Sequence, residues 1–185
     1  VSLMARWAEA MAFETEHKQL EAAVVTRGIQ RAFDDPSKGR YFIADIASNH
    51  DGDLERAKAL IFIAKEAGAD AVKFQHFKAE KIVSDRGFRE LGGQFSHQAR
   101  WEKSVFDVYR QYECQRSWTD ALLETARQAA IDFLTTPYDD DAVELLDPHL
   151  PAYKIGSGDI TWTDFLARLA ARGKPLLLAT GAAEM

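Results

Sequence analysis

Tyr41–Ala47 has the sequence YFIADIA, and this nearly continuous apolar run decides the fold. Asp45 alone interrupts it, and such a run is typical of a strand in a parallel sheet, with both faces buried. A turn follows at 49–53 (NHDGD), and apolar residues then recur at helical spacing over 54–64, with a stop at Gly68. The stretch therefore predicts a strand, a turn and a helix in succession.

Strands of the same kind recur four times further along the chain. They are predicted at 71–75, 131–135, 152–156 and 175–179, and helices are predicted at 105–112, 118–130, 139–146 and 164–171. A long segment, 78–103, interrupts the alternation after the second strand, and loops of this length are usually functional. Strands alternating with helices predict right-handed βαβ units and a parallel sheet.

Two architectures fit this alternation. One is a TIM-type (β/α)8 barrel of which only about the first five βα units are present, and the other is a doubly wound open sheet. We favour the barrel, because no glycine-rich dinucleotide fingerprint follows the first strand and because polar residues end every strand. Residues 1–40 are predicted to form a helical extension and linker, and residues 41–185 the partial barrel.

Composition excludes several classes of protein. The formal net charge is −6, which argues against a nucleic-acid surface, and the only cysteine, Cys114, excludes an internal disulfide framework. We expect Cys114 to be a half-buried apolar residue. No apolar run is long enough to span a membrane, and acidic residues interrupt the N-terminal region where a signal peptide would be apolar. We therefore expect a cytoplasmic protein that binds neither membrane nor nucleic acid.

The strand ends carry the residues that could do chemistry. In a closed parallel sheet they would point to one mouth, and they are Asp45, Lys73, Gln75, Thr135, Thr136, Lys154, Ser157, Asp159 and Thr180. Lysines and hydroxyls suit a ligand with phosphate and carboxylate groups, and the carboxylates suit the hydroxyls or protons of a second, neutral substrate.

Structural roles would explain some of these residues equally well. Lys73 and Lys154 lie within apolar strands, where ion pairs with Asp45 or Asp159 would stabilise them. The threonines could be ordinary strand-end residues. His76 could ligate a metal, but a lone histidine is more often a hydrogen-bonded pocket residue.

Five motifs in order resemble the N-acetylneuraminate (sialic acid) synthases. Ile43–Asp53 resembles the "IAEIG-NH-G" opening of that family, and 67–75 resembles "AGAD-VKFQ". Similar matches follow at 133–139 to "FLSTPFD", at 151–159 to "PAYKI-SGE" and at 173–181 to "GKPVILSTG". Together they span about 41–185.

This resemblance implies condensation of phosphoenolpyruvate with an N-acetylated amino sugar, such as N-acetylmannosamine. It implies that Lys73 and Lys154 hold the carboxylate and phosphate region, that Thr136 and Ser157 contact the phosphate, with Thr180 as a substitute contact, and that Asp45, Gln75 and Asp159 face the sugar. It also implies a divalent metal, Mn²⁺ or Mg²⁺, whose ligands come from later strands outside this chain, and a homodimer for the full-length protein.

The sequence departs from the family at several positions. Asp45 and Asp159 stand where the family usually has glutamate, Ala179 replaces a serine, and His76 replaces a common threonine. We therefore expect a divergent subgroup, and a fragment with little activity alone. Three alternatives stay open: another phosphoenolpyruvate-dependent synthase, such as those making heptulosonate or octulosonate phosphates; a Schiff-base aldolase using Lys73 or Lys154; and a non-catalytic truncated barrel that serves as a partner module.

Overall fold

A computed structural model describes residues 40–90 and 101–182 of the chain. The predicted N-terminal extension, up to residue 39, and part of the long segment, 91–100, lie outside the described residues. The described part falls into two compact units: Phe42–Asp147, and the residues from Pro148 onward. Each unit is a parallel α/β structure, as predicted.

The first unit contains three strands and six helices among its described residues. In chain order these are β1 Ile43–Ala47, α1 Leu54–Glu66, β2 Ala71–His76, α2 Ala79–Ile82, α3 Asp85–Glu90, α4 Val105–Gln111, α5 Thr119–Gln128, β3 Asp132–Pro137 and α6 Asp140–Leu146. A 3₁₀ turn at Arg116–Trp118 precedes α5. The helices α2 and α3 lie in the long segment, where the sequence analysis predicted no element.

The three strands form one parallel sheet in the order β1-β2-β3. In β2, Lys73 pairs with Asp45 of β1 on one side and with Leu134 of β3 on the other. The register between β2 and β3 is regular from Ala71 to His76. β2 is therefore the central strand, and its side chains are almost all buried.

The core lies where the apolar faces of the helices cover this sheet. Asp53 caps α1 by accepting a hydrogen bond from the Arg56 N–H at 3.0 Å, and α1 buries Ala57, Ile61 and Ala64. On the sheet, the Phe74 ring stacks on that of Phe133 with centroids 5.6 Å apart. Burial of such apolar side chains is the main favourable contribution to folding.

The first strand differs from its prediction. The apolar run at 41–47 predicted burial on both faces, but Ile46 is the only fully buried residue of β1, and Phe42 just before it is 59% exposed. In the described sheet β1 is one of two edge strands, and it is far less covered than β3, the other edge strand, which is almost fully buried. The strand itself is confirmed, and its burial on both faces is wrong.

The turn after β1 is built by its own polar groups. The Asn49 side chain donates to the Ile46 carbonyl at 3.0 Å, and the Gly52 N–H donates to Nδ1 of His50 at 3.1 Å. Ala47 and Asp51 have left-handed backbones with φ of 51° and 54°, and Gly52 has φ of 76°. The "NH-G" pattern thus encodes a turn that connects β1 to α1.

Gly52→Ala is expected to destabilise the protein by about 2 kcal/mol or more, because it combines left-handed strain with a steric clash. A Cβ at Gly52 would lie 2.8 Å from the carbonyl oxygen of Gln111. Gly68 is the matched control, since it has φ of 88° but nothing within 4 Å of the added Cβ. Gly68→Ala should cost only about 1 kcal/mol in urea unfolding. Equal losses at the two positions would contradict the steric part of this explanation.

The second unit contains a pair of strands and a helix. β4 Tyr153–Ile155 pairs in parallel with β5 Leu176–Leu178, and α7 Thr163–Ala170 connects them. Tyr153 and Ile155 of β4 are buried, as are Phe165 and Leu169 of α7. The positions agree with the predicted strands at 152–156 and 175–179. In neither unit is any described helix long and apolar enough to cross a membrane.

Candidate functional site

One face of the three-stranded sheet gathers four of the predicted site residues. Successive side chains of a strand point to opposite faces, so residues two apart share a face. Lys73 and Gln75 therefore share a face of β2, and the register adds Asp45 beside Lys73 and Thr136 beside Gln75. We call these four residues the strand-end face.

An ion pair between Lys73 and Asp45 lies at the centre of the strand-end face. Nζ of Lys73 is 2.7 Å from Oδ1 of Asp45, which confirms that a carboxylate partners this lysine in its apolar strand. The lysine side chain is 8% exposed and the aspartate side chain 58% exposed. The pair therefore reaches solvent on the aspartate side, while the ammonium itself is buried.

Gln75 and Thr136 complete the strand-end face. Gln75 is half-buried, and Oε1 of its amide is 3.4 Å from the hydroxyl of Ser48. Thr136 is 2% exposed. Thr135, also a predicted strand-end residue, points to the opposite face of β3, so the structure separates it from the other four.

The second unit carries the other predicted residues. Nζ of Lys154 donates to the Ile155 carbonyl at 2.5 Å, and Ser157 and Asp159 lie in a 3₁₀ turn directly after β4. Thr180 follows β5 and is exposed. A Cβ added at Gly181 would lie 3.9 Å from Cβ of Ser157, so the chain segments that follow β4 and β5 are neighbours.

The pKa of the Asp159 carboxyl is higher than that of an ordinary aspartate. Partial burial raises the pKa of its carboxyl above the ordinary value, and the positive charge of Lys154 opposes that rise. A carboxyl with a raised pKa is a candidate for proton transfer.

A buried polar cluster escaped the sequence analysis. Nδ1 of His76 is 2.8 Å from the Thr135 hydroxyl, and Nε2 is 3.6 Å from Sγ of Cys114. All three residues are at most 1% exposed. His76 is thus a hydrogen-bonded residue, one of the two roles expected for it, and Cys114 lies in the core, fully buried and not half-buried as expected.

Ion pairs at the ends of β2 and β3 were also unforeseen. The Arg116 guanidinium binds both carboxylate oxygens of Asp139, at 2.7 and 2.6 Å, and Asp139 also caps α6. Glu113 accepts from Nζ of Lys78 and from the Ala79 N–H, at 2.7 and 2.8 Å. These contacts hold the segment that enters α5 to the strand ends of the first unit.

The acidic, histidine and cysteine side chains are the possible metal ligands. Among residues 40–90 and 101–182, no group of three or more histidine, cysteine, aspartate or glutamate side chains is arranged to hold a metal ion. The described residues therefore do not fit a metal site, and no chemical step is assigned to a metal here.

The fold and these residues define a class of protein: a parallel α/β protein with charged and hydroxyl side chains at the carboxyl ends of its strands. The profile of the NeuB family matches residues 60–185, and the chain belongs to this family. The resemblance to sialic acid synthases is thereby confirmed.

Individual relatives agree with this family. The chain is 36% identical to the spore coat polysaccharide biosynthesis protein SpsE of Bacillus subtilis over 146 residues, which is 78% of this chain and 38% of that protein. It is 36% identical to the N,N'-diacetyllegionaminic acid synthase of Campylobacter jejuni over 149 residues, which is 80% of this chain and 44% of that protein. The chain thus spans about two fifths of these curated relatives.

A solved structure has the same fold. The N-acetylneuraminic acid (sialic acid) synthetase of Leptospira borgpetersenii, in complex with citrate, superimposes with a TM-score of 0.62 and 26% sequence identity. The match covers 78% of this chain and 45% of that one.

Proposed function

We propose that the full-length protein condenses phosphoenolpyruvate with an N-acetylated amino sugar, N-acetylmannosamine or a relative, and releases phosphate. The observation that carries this proposal is the buried Lys73 ammonium, paired with a solvent-facing Asp45 on the strand-end face. An ammonium within an otherwise apolar strand forms strong charge-assisted bonds with a small, multiply charged anion. Family membership supports the same chemistry, since a legionaminic acid synthase and a sialic acid synthetase are among the similar proteins.

The proposed reaction balances as follows. The methylene carbon of phosphoenolpyruvate forms a bond to the aldehyde carbon of the open-chain sugar, and the aldehyde oxygen takes a proton to become a hydroxyl. Water adds to the central carbon of phosphoenolpyruvate and gives up a proton. The C–O bond to phosphate then breaks, the hydroxyl on the same carbon gives its proton to the departing phosphate and becomes the keto oxygen, and the products are a nonulosonic acid and inorganic phosphate.

The residue roles in this reaction are proposed for each unit by itself. In the first unit, Lys73 binds the phosphoenolpyruvate anion, Thr136 donates to its phosphate, and Asp45 and Gln75 contact the sugar. Charge-assisted bonds from a desolvated lysine are the strongest interactions in this set.

In the second unit, Lys154 is proposed to neutralise the negative charge of phosphoenolpyruvate, and Ser157 and Thr180 to donate hydrogen bonds to phosphate oxygens. Asp159 is proposed to face the sugar and to move a proton, because its raised pKa suits that task.

Several properties of the full-length protein stay predictions. These are the TIM-type (β/α)8 barrel, the homodimer, the cytoplasmic location, the low activity of this chain alone, and the Mn²⁺ or Mg²⁺ ion with ligands outside the chain. No step above depends on the metal.

Phosphate release tests the proposal directly. Full-length protein with phosphoenolpyruvate, Mn²⁺ and a panel of N-acetylated hexosamines is expected to release phosphate only when a sugar is present. No sugar-dependent release across a broad panel would defeat the proposal. Release with an aldose phosphate instead would favour another synthase of this chemistry, and borohydride trapping of a lysine adduct with pyruvate would favour a Schiff-base aldolase.

A further inference from the structure

The buried cluster of His76, Thr135 and Cys114 lies directly behind the strand-end face. His76 follows Gln75 in β2, and Thr135 precedes Thr136 in β3, so two of the three cluster residues are chain neighbours of strand-end residues. Gln75 and Thr136 are register partners on one face of the sheet. The His76 ring and the Thr135 hydroxyl, 2.8 Å apart, connect the same two strands on the other face.

The regular pairing of β2 with β3 ends at this place. His76 and Pro137 are the last register pair, and beyond them only the Tyr138 N–H, which donates to the His76 carbonyl at 3.1 Å, continues the ladder. The His76–Thr135 bond is a side-chain connection between β2 and β3 at that position.

Cys114 contacts the second ring nitrogen of His76. Its sulfur is 3.6 Å from Nε2 of His76, so both ring nitrogens have partners in a region at most 1% exposed. The backbone around Cys114 is fixed as well, since Glu113 binds Lys78 and the Ala79 N–H immediately before it. A ring held at both nitrogens has one orientation, and it transmits that orientation to Thr135.

The cluster is electrically neutral near neutral pH. Burial and the positive charge of Arg116 lower the pKa of His76 to about 4, although Asp139 opposes them. Burial raises the pKa of the Cys114 thiol to about 12. Neither group changes charge near neutral pH, and neither lies on the strand-end face.

We propose that His76 is a positioning residue, which fixes the separation of Gln75 and Thr136 on the strand-end face through its bond to Thr135. The inference rests on the proposed function, because it assigns His76 to the alignment of phosphoenolpyruvate and sugar at that face. Misplacement of reacting groups by about 1 Å can lower a rate by about 10²-fold.

The test compares apolar and hydrogen-bonding replacements in the full-length protein. His76→Leu removes both bonds and is expected to lower kcat/KM for phosphoenolpyruvate about ten-fold, mostly in kcat, because Lys73 still binds the ground state. His76→Asn puts an amide nitrogen near the Nδ1 position and is expected to restore kcat/KM to within about three-fold of wild type. A purely structural role would give both variants the same kcat per folded molecule.

Matched threonines control for lost stability. Thr135→Val removes the partner of His76, whereas Thr125→Val removes a buried hydroxyl that bonds the Ala121 carbonyl at 2.7 Å within α5. Thr135→Val should reproduce the kinetic defect of His76→Leu, and Thr125→Val should lower the Tm without it. If wild type is active and folded His76→Leu or Thr135→Val keeps the full wild-type kcat/KM, the role of His76 is overturned and the proposed function is not. Wild type without sugar-dependent phosphate release would overturn the proposed function and this inference with it.

Discussion

Lys73→Met is expected to lower kcat/KM for phosphoenolpyruvate in the full-length protein by about 10²–10³-fold while the fold survives. The lysine side chain is 8% exposed, and its Nζ lies 2.7 Å from Asp45. A cation that is already desolvated binds an anion strongly, since little water has to be removed from it on binding. Its loss therefore removes one of the strongest interactions of the proposed complex.

The same substitution should leave stability unchanged or raise it. Desolvation of an ammonium costs several kcal/mol, and removing one partner of an ion pair is destabilising mainly when the other charge is left buried. Asp45 loses its partner, but it is 58% exposed and water solvates it. Thermal unfolding measured beside kcat/KM separates the two effects.

Lys58→Met is the matched control for this prediction. Lys58 forms a surface pair with Glu55 at 2.7 Å on α1, and such pairs contribute about 0–1 kcal/mol. Its kcat/KM should equal that of wild type. Lys73→Met with kcat/KM within about five-fold of wild type would show that Lys73 is not a ligand of the substrate anion.

Local patterns predicted much of this fold. Apolar runs located all five strands within a few residues, because strand and helix periodicities are properties of neighbouring residues. They also placed Asp45, Lys73 and Gln75 near strand ends, and alternation on a strand then puts Lys73 and Gln75 on one face. What periodicity cannot show is how much of a strand the rest of the fold covers: the two edge strands of the described sheet differ, since β3 is almost fully buried and β1 is not.

Contacts between distant parts of the chain were not predictable in this way. Cys114 is 38 residues from His76 along the chain, and Thr135 is 59 residues from it. The Arg116–Asp139 pair likewise joins a segment before α5 to the cap of α6. These bonds join single residues, and hydrophobic periodicity carries no information about such pairs. The nearest hint in the sequence was His76, a polar residue in an apolar strand.

Stability is expected to fall as the pH is lowered from about 6.5 to about 4, with His76 alone contributing about 3 kcal/mol. Acid destabilises the fold because the pKa of His76 is lower in the folded protein than in the unfolded chain. Burial, Arg116 and His50 lower the pKa of His76 to about 4 in the folded protein, against 6.5 for an ordinary histidine. Between these values the unfolded chain binds a proton that the folded chain does not, so acid favours unfolding.

Other groups add to this profile in separable ways. Burial also lowers the pKa of His50, so its contribution has the same sign. Hydrogen bonds from Arg127 and Gln128 lower the pKa of Glu124 to about 2. The stability that this carboxylate contributes is therefore lost only as the pH falls below the ordinary glutamate pKa of 4.5. Partial burial raises the pKa of Asp159, so its contribution has the opposite sign. Among the described residues, His76 and His50 are the histidines whose lowered pKa makes acid destabilising below about pH 6.5.

Urea unfolding at several pH values would isolate the contribution of His76. Wild type should lose stability with a slope of about 1.4 kcal/mol per pH unit for each histidine that stays neutral in the fold. His76→Leu should reduce the total slope by about one proton, because leucine does not titrate. His17 and His97 lie outside the described residues, so replacing each with glutamine in parallel controls for their titration. A His76→Leu profile as steep as that of wild type would mean that His76 is protonated within the fold, and its two hydrogen bonds would then need a different assignment of donors.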